Sequence, residues 1–243
     1  MQLFVTEYQK KDKNIVITND ELLSQLRKVL RARIGDSIRI QSPIDETIKT
    51  RYEVAIDARD NKSIEWTIIS QQDHQSANDK RSMIIAMPNK RDKIEMIVQK
   101  LTECGLDQVI FWPSERSIIK EWNPKKEERL HKIIKEATEQ SRWRNIPNLK
   151  FTTDITKYLQ DTELVVFDKS GTSNKGQKTK TESKIQVLSS KIWLIGPEGG
   201  LTSKDYQIFE WTNYATYELG ETVLRTETAA IIWGRLIKNN FNS

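Results

Sequence analysis

The stretch IGPEGGLTSKDY at 195–206, with ELGETVLRTETAAI at 218–231, decides how this chain is read. Each runs from strand residues into a glycine-containing turn and on into a helix. In the first, Ile192–Ile195 is a short apolar run, and Gly196-Pro197-Glu198-Gly199-Gly200 breaks it. Thr202 or Ser203 can then cap a helix whose first turn holds Asp205. In the second, the chain passes from Tyr217 through Gly220 to Thr226, a candidate cap for the last helix. If their strands are parallel neighbours, the two turns lie side by side at the strands' carboxyl ends, where open α/β sheets bind ligands. Glycine lets a ligand approach the main chain because no Cβ stands in the way. A lone Gly-Pro-Glu-Gly-Gly is an ordinary loop. Its repetition at a matched position, with Arg225 and Glu227 opening the last helix, points to a pocket.

Working outward, strands are expected at Met83–Met87, Gln108–Trp112, Leu164–Phe167, Ile192–Ile195 and Ala215–Tyr217. Helical spacing links Ile94, Ile97, Val98 and Leu101. It also links Leu130, Ile133, Ile134 and Ala137, behind a cap at Asn123-Pro124. The last helix carries Ala229, Ile232, Trp233 and Leu236, widened by Ala230, Ile231 and Ile237, a stripe broad enough for burial against more than one surface. Such alternation predicts a mainly parallel sheet covered on both faces.

The N-terminal stretch reads differently. Met1–Val5, Ile15–Ile17, Ser37–Ile40, Tyr52–Ala58 and Ile64–Ile69 are strand candidates. Thr18-Asn19-Asp20-Glu21 has the form of a capping box, with Leu22, Leu26 and Val29 following on one helical face. Residues 1–72 therefore read as a small barrel, the polar run out of Gln71 as a linker over 73–80, and 81–243 as the α/β domain.

Of 243 residues, 39 are Lys or Arg and 34 are Asp or Glu, a net charge of +5. Residues 1–80 hold 13 of each sign, so the whole excess lies in the α/β part and favours a polyanionic partner such as nucleic acid. There is no apolar run long enough to span a bilayer and no signal peptide, so a cytoplasmic protein without a membrane partner is expected. One cysteine excludes an intrachain disulfide, and Cys104 near Leu101 and Leu106 reads as a buried thiol. With His74 and His131 it makes no usual zinc set, and no metal is expected. The polar run KSGTSNKGQKTKTESK at 169–184 reads as a mobile loop. It begins like a phosphate-binding loop at Gly171–Gly176, but Gln177 interrupts the Lys and hydroxyl that must follow, so an NTPase is rejected.

With these residues in view, the sequence resembles the bacterial 16S ribosomal RNA uracil-N3 methyltransferases of the SPOUT class. Leu26–Arg31 with Gly35-Asp36 matches the family's L-x-x-V-L-R…G-D. Lys100–Leu106 with Ser114–Ser117 matches K-x-T-E-L-G-V…S-E-R-S, and Glu139-Gln140-Ser141 with Arg142, Arg144, Ile146 and Pro147 matches E-Q-S…R…I-P. Gly196–Gly200, and Leu219-Gly220 with Val223–Ala229, match the family's two pocket turns. Ser24-Gln25 replace usual histidines, Cys104 a leucine, and Thr222 a basic residue.

The resemblance implies an N-terminal PUA-like β-barrel, a C-terminal SPOUT α/β domain with a trefoil knot, and a homodimer. The implied reaction moves the methyl of S-adenosylmethionine, without a metal, to N3 of a uridine in 16S rRNA within the small ribosomal subunit. Ile195, Gly196, Glu198, Gly199, Gly200, Leu219, Gly220, Val223 and Leu224 are the expected cofactor contacts. Arg225 would stabilise charge on the uracil oxygens, Glu227 would take the N3 proton, and Glu198 is the second candidate base. An acid in a helix's first turn is also favourable without catalysis. Arg27, Lys28, Arg31, Arg33, Arg116, Arg142 and Arg144 are the expected RNA contacts, with Trp143 available to stack on a base. Two rivals remain: a SPOUT enzyme that methylates a ribose 2′-oxygen, and a non-catalytic RNA-binding or ribosome-assembly factor.

Overall fold

The computed structural model describes residues 1–43, 48–59, 64–75, 81–143, 145–160, 162–168, 178–179, 191–217 and 222–239. They form two compact units. Met1–Ala77 joins Thr138–Ile146 in the first, and Asn78–Ala137 joins Pro147–Ser243 in the second.

The first unit contains β1 (Leu3–Val5), β2 (Gln9–Lys11), β3 (Asn14–Ile17), α1 (Asp20–Ser24), β4 (Ser37–Gln41), β5 (Ile48–Arg59) and β6 (Ile64–Gln75). The strands form one sheet in the order β1-β4-β5-β6-β3-β2, antiparallel except for β1 with β4. Alternation places Ile15, Ile17, Ile38, Ile40, Val54, Ile56, Ile64 and Trp66 in its core. Residues 73–75, expected to begin the linker, instead continue β6, where they pair with Ile48–Thr50.

Two local expectations fail here. The helix is capped by Asn19, whose side chain accepts from Leu22 N at 2.9 Å, rather than by a Thr18–Glu21 box. Val29 is not on the buried face with Leu22 and Leu26; it is 72% exposed. The chain widens to a π-helix over Gln25–Val29, closed by Leu30 N to Gln25 O at 3.0 Å, and the wider turn shifts later residues off the stripe.

The second unit contains β7 (Ser82–Ala86), α2 (Arg91–Cys104), β8 (Gln108–Trp112), β9 (Asn148–Phe151), β10 (Glu163–Phe167), β11 (Lys178–Thr179), β12 (Lys191–Ile195), α4 (Ser203–Phe209), β13 (Tyr214–Tyr217) and α5 (Thr226–Asn239), while α3 (Glu127–Ser141) continues into the first. The order is β11-β13-β10-β12-β7-β8-β9, and every described pair is parallel. The strands read as near-continuous apolar runs because both faces are covered. Ile84, Ile110, Leu164, Val166, Ile192 and Leu194 pack with Leu201, Tyr206 and Phe209 on one face. On the other, Phe167 stacks on Trp233 of α5 at 3.9 Å. The expected mainly parallel α/β sheet is present. Within the expected 169–184 loop, Lys178–Thr179 forms an edge strand on β13; Gly171–Gln177 and the lysines at 175, 180 and 184 lie outside the described residues.

Candidate functional site

The first glycine turn meets the start of α5, while Gly220 and the rest of 218–221 lie outside the described residues. β10 lies between β12 and β13, so the strands feeding the turns are not adjacent. The return segment crosses that gap: Thr226 Oγ1 donates to the Gly196 carbonyl at 3.1 Å, and Gly196 N donates to Phe167 O at the end of β10 at 3.3 Å. Thr226, expected as a cap, therefore begins α5 and spends its hydroxyl on the other turn. The carbonyl of Arg225 accepts the first bond of α5, from Ala229 N at 2.9 Å.

The first turn is closed by Gly200 N to Pro197 O at 2.9 Å, with Gly200 at φ 72°. That backbone suits glycine. Thr202 caps α4 in a reciprocal box with Asp205, as the sequence suggested. Asp205 also accepts from Glu115 N at 2.8 Å, and Lys204 pairs with Glu115 at 2.7 Å, which holds Glu115 below the usual carboxylate range. Arg116 donates to the Gly199 carbonyl, and a Cβ on Gly199 would lie 3.2 Å from Arg116 Cδ. The Ser114–Ser117 loop thus clamps the turn from outside.

Gly196 is different. A Cβ there would meet Leu201 Cγ at 3.4 Å and Phe167 O at 3.7 Å, ordinary contacts, and its φ is not in the left-handed region. Neither packing nor backbone geometry demands glycine at this buried position. That observation fits a group held through main-chain atoms. Gly196→Ala is expected to leave the melting temperature within about 2 °C and weaken S-adenosylmethionine binding at least about tenfold by calorimetry. Unchanged affinity would remove Gly196 from the pocket.

Sequence reasoning missed two residues. Lys93, in the first turn of α2, reaches both candidate bases. Its ammonium pairs with Glu198 and lies 3.5 Å from Glu227 Oε2. The Lys93 and Glu227 side chains are 18% and 10% exposed. The Glu198 hydrogen bond is the main cause that raises the Lys93 pKa, aided by the charges of Glu198 and Glu227 and opposed by burial. Asp168, immediately after β10, is buried and accepts from Tyr206 Oη at 3.1 Å. Burial first, then the Asp168 charge, pushes the Tyr206 phenol up, so it remains a donor. An acid directly behind the apolar run LVVF was the available signal; nothing local marked Lys93.

Ile195 and Gly196 are buried, Leu224 is half-buried, Glu198 and Gly199 face outward, and Val223 is 74% exposed. Glu227 is buried and Arg225 exposed. Leu219, Gly220 and Arg144 lie outside the described residues. In the first unit, Lys28, Arg31, Arg33 and Arg142 are exposed and Arg27 is half-buried. There Arg51 donates to the Trp143 carbonyl at 3.0 Å, and Glu139 of the EQS segment accepts from Val5 N at 2.9 Å, fixing the segment that carries Arg142.

The fold and the tie between Thr226 and Gly196 define a class. Residues 76–238 match the family described as RNA methyltransferase domain. Ribosomal RNA small subunit methyltransferase E of Bacillus subtilis is 31% identical over 235 residues, covering 88% of this chain and 86% of that protein. A probable rRNA-methyltransferase from Porphyromonas gingivalis has a crystal structure similar to this one at a TM-score of 0.76, with 25% identity over 99% of this chain and 98% of that one. The Neisseria gonorrhoeae ribosomal RNA small subunit methyltransferase E, bound to S-adenosyl methionine, shares the fold at a TM-score of 0.74, with 20% identity over 98% and 97% of the two chains. The chain belongs to the RNA methyltransferase domain family, in the group of ribosomal RNA small subunit methyltransferase E.

Proposed function

We propose that this protein transfers a methyl group from S-adenosylmethionine to N3 of a uridine in 16S rRNA, acting on the small ribosomal subunit. The observation that carries the reading is the junction of the first glycine turn with the start of α5, tied by Thr226 to Gly196 and bridged by Lys93 between Glu198 and Glu227. The names of the relatives support the substrate class.

When bound, S-adenosylmethionine supplies an electrophilic methyl on a sulfonium. The chain's own work is to hold and orient. Ile195, Gly196, Gly199, Gly200, Leu219, Gly220, Val223 and Leu224 would hold the cofactor through backbone and apolar contacts. Positioning alone lowers such a barrier substantially. N3 becomes a good nucleophile as its proton leaves; Glu227 is the assigned acceptor, with Glu198 second, and Arg225 faces the developing charge on the uracil oxygens.

The same reading takes the first unit as a PUA-like barrel over 1–72, the second as a knotted SPOUT domain over 81–243, and the working form as a cytoplasmic homodimer. Ile232 and Leu236, each 39% exposed on α5, support an apolar interface. Arg27, Lys28, Arg31, Arg33, Arg116, Arg142 and Arg144 are the proposed RNA contacts. Alanine at both Lys28 and Arg33 is expected to lower the slope of log affinity against log salt by about two. An unchanged slope would remove them from the RNA surface.

Incubation with small subunits lacking the modification, followed by nucleoside mass spectrometry, tests the reaction. 3-Methyluridine is the expected product. A ribose-methylated nucleoside would transfer the protein to the other specificity, and no calorimetric binding of S-adenosylmethionine would leave an RNA-binding factor.

A further inference from the structure

A second opening lies on the carboxyl edge of the same sheet. A cavity of about 470 Å³ is lined by Met87 after β7, Pro113 after β8, Phe151 and Thr153 at the end of β9, and Trp122 from the segment before α3. That volume is typical of a cleft for one small ligand. The glycine turns do not line it. Strands lie about 4.8 Å apart, so the ends of β8 and β9 stand roughly 10 and 14 Å from the end of β12, which carries Gly196.

Its wall is an aromatic ladder. Buried Phe111 stacks on Phe151 at 5.2 Å and 15°, and Phe151 stacks on half-buried Trp122 at 4.2 Å and 4°. The Trp122 Nε1 is buried with no acceptor among the described residues, where an indole N–H ordinarily finds one. Lys120 donates to the Ser114 and Glu115 carbonyls, which uses two of its three donors and fixes the ammonium at the rim. Glu121 stands beside it, so the rim is nearly neutral and does not make an anion site.

We infer that this cavity receives one unstacked nucleobase of the RNA substrate, a neighbour of the methylated nucleotide. Flat rings offer a stacking wall, and Lys120 has a donor left for the ribose–phosphate backbone. A separation of about 10–14 Å from Gly196 places this opening beyond the first glycine turn, as suits a base flanking the methylated one. The inference rests on the reading of the protein as an RNA methyltransferase.

Small subunits carrying 4-thiouridine, irradiated with the wild-type protein, are expected to give cross-linked peptides containing residues 120–124 or 150–153. Trp122→Leu, and Thr153→Phe at the exposed rim, should each raise KM for subunits about tenfold, the effect of losing one base–aromatic stack, with unchanged cofactor affinity. Trp122→Phe should restore most of it. Cross-links confined to other peptides would overturn the inference, as would weaker S-adenosylmethionine binding in Thr153→Phe, which would give the cavity to the cofactor. Cross-linking here without methyl transfer by the wild type would sink the catalytic reading and leave the base site standing.

Discussion

Replacing Lys93 by methionine is expected to cut methyl transfer about 100-fold or more, with Lys93→Arg retaining most of it. Among the described residues, the ammonium contacts both candidate bases, at 3.5 Å in the case of Glu227 and closer still to Glu198. Without it, Glu198 and Glu227 lose the cation they share, and Glu227 is buried. Breaking a buried pair costs more than the pair contributes, because the remaining charge keeps its desolvation penalty. The kinetic test is kcat on small subunits at saturating cofactor. Its pH signature is separate. The folded-state pKa of Lys93 is raised above the ordinary 10.5, so its stabilising contribution is complete below that value and fades as the pH climbs through the raised one. Lys93→Met should therefore lose wild-type-like pH dependence of unfolding only in that alkaline window. Full activity in the methionine variant would reduce Lys93 to a surface ion pair.

Gly234→Ala is expected to destabilise the protein by about 1–3 kcal/mol, a fall of roughly 2–12 °C in melting temperature. Helix propensity alone predicts the opposite sign, since alanine is better than glycine inside a helix by about 1 kcal/mol. Packing decides. A Cβ at Gly234 would stand 2.5 Å from Leu101 Cδ2, 3.3 Å from Leu106 Cδ1 and 3.6 Å from Cys104 Cβ. Leu101 is fully buried, so its methyl can yield only against packed neighbours. Urea unfolding would check the value. A stabilised variant would mean that α2 and α5 do not approach this closely.

Where local chemistry sets the structure, the sequence was readable. Gln108–Trp112 is a strand with the limits expected, and Thr202 and Asp205 cap α4 because serine-like and acidic side chains satisfy a helix's free N–H groups. Cys104 is buried, as its apolar neighbours implied. The edge strands β2, of Gln-Lys-Lys, and β9 went unseen because neither carries the apolar run of a central strand. The glycine segments are legible in the sequence, but not that β10 separates β12 from β13, since strand order is set by packing far along the chain. Lys93 was hidden for the same reason: it stands 105 positions from Glu198. The broad stripe on α5 is buried against both α2 and the sheet, as its width implies. Ala230 and Trp233 are buried, while Ile232 and Leu236 are exposed within this chain, and the Ile237 side chain lies outside the described residues.

The strand order also dictates when the molecule can assemble. β7 begins its unit, yet Ile85 pairs with Ile195, and Gly196 meets Thr226. Contacts so distant in the chain close slowly, because loop-closure entropy must be lost before any pairing compensates. During synthesis, the inner edge of β7 waits without its partner until Lys191–Ile195 has been made. In that interval the exposed apolar strand is a target for chaperones and for misassociation. Refolding of this protein should be slow relative to helical proteins of its size, and most vulnerable to aggregation at early times.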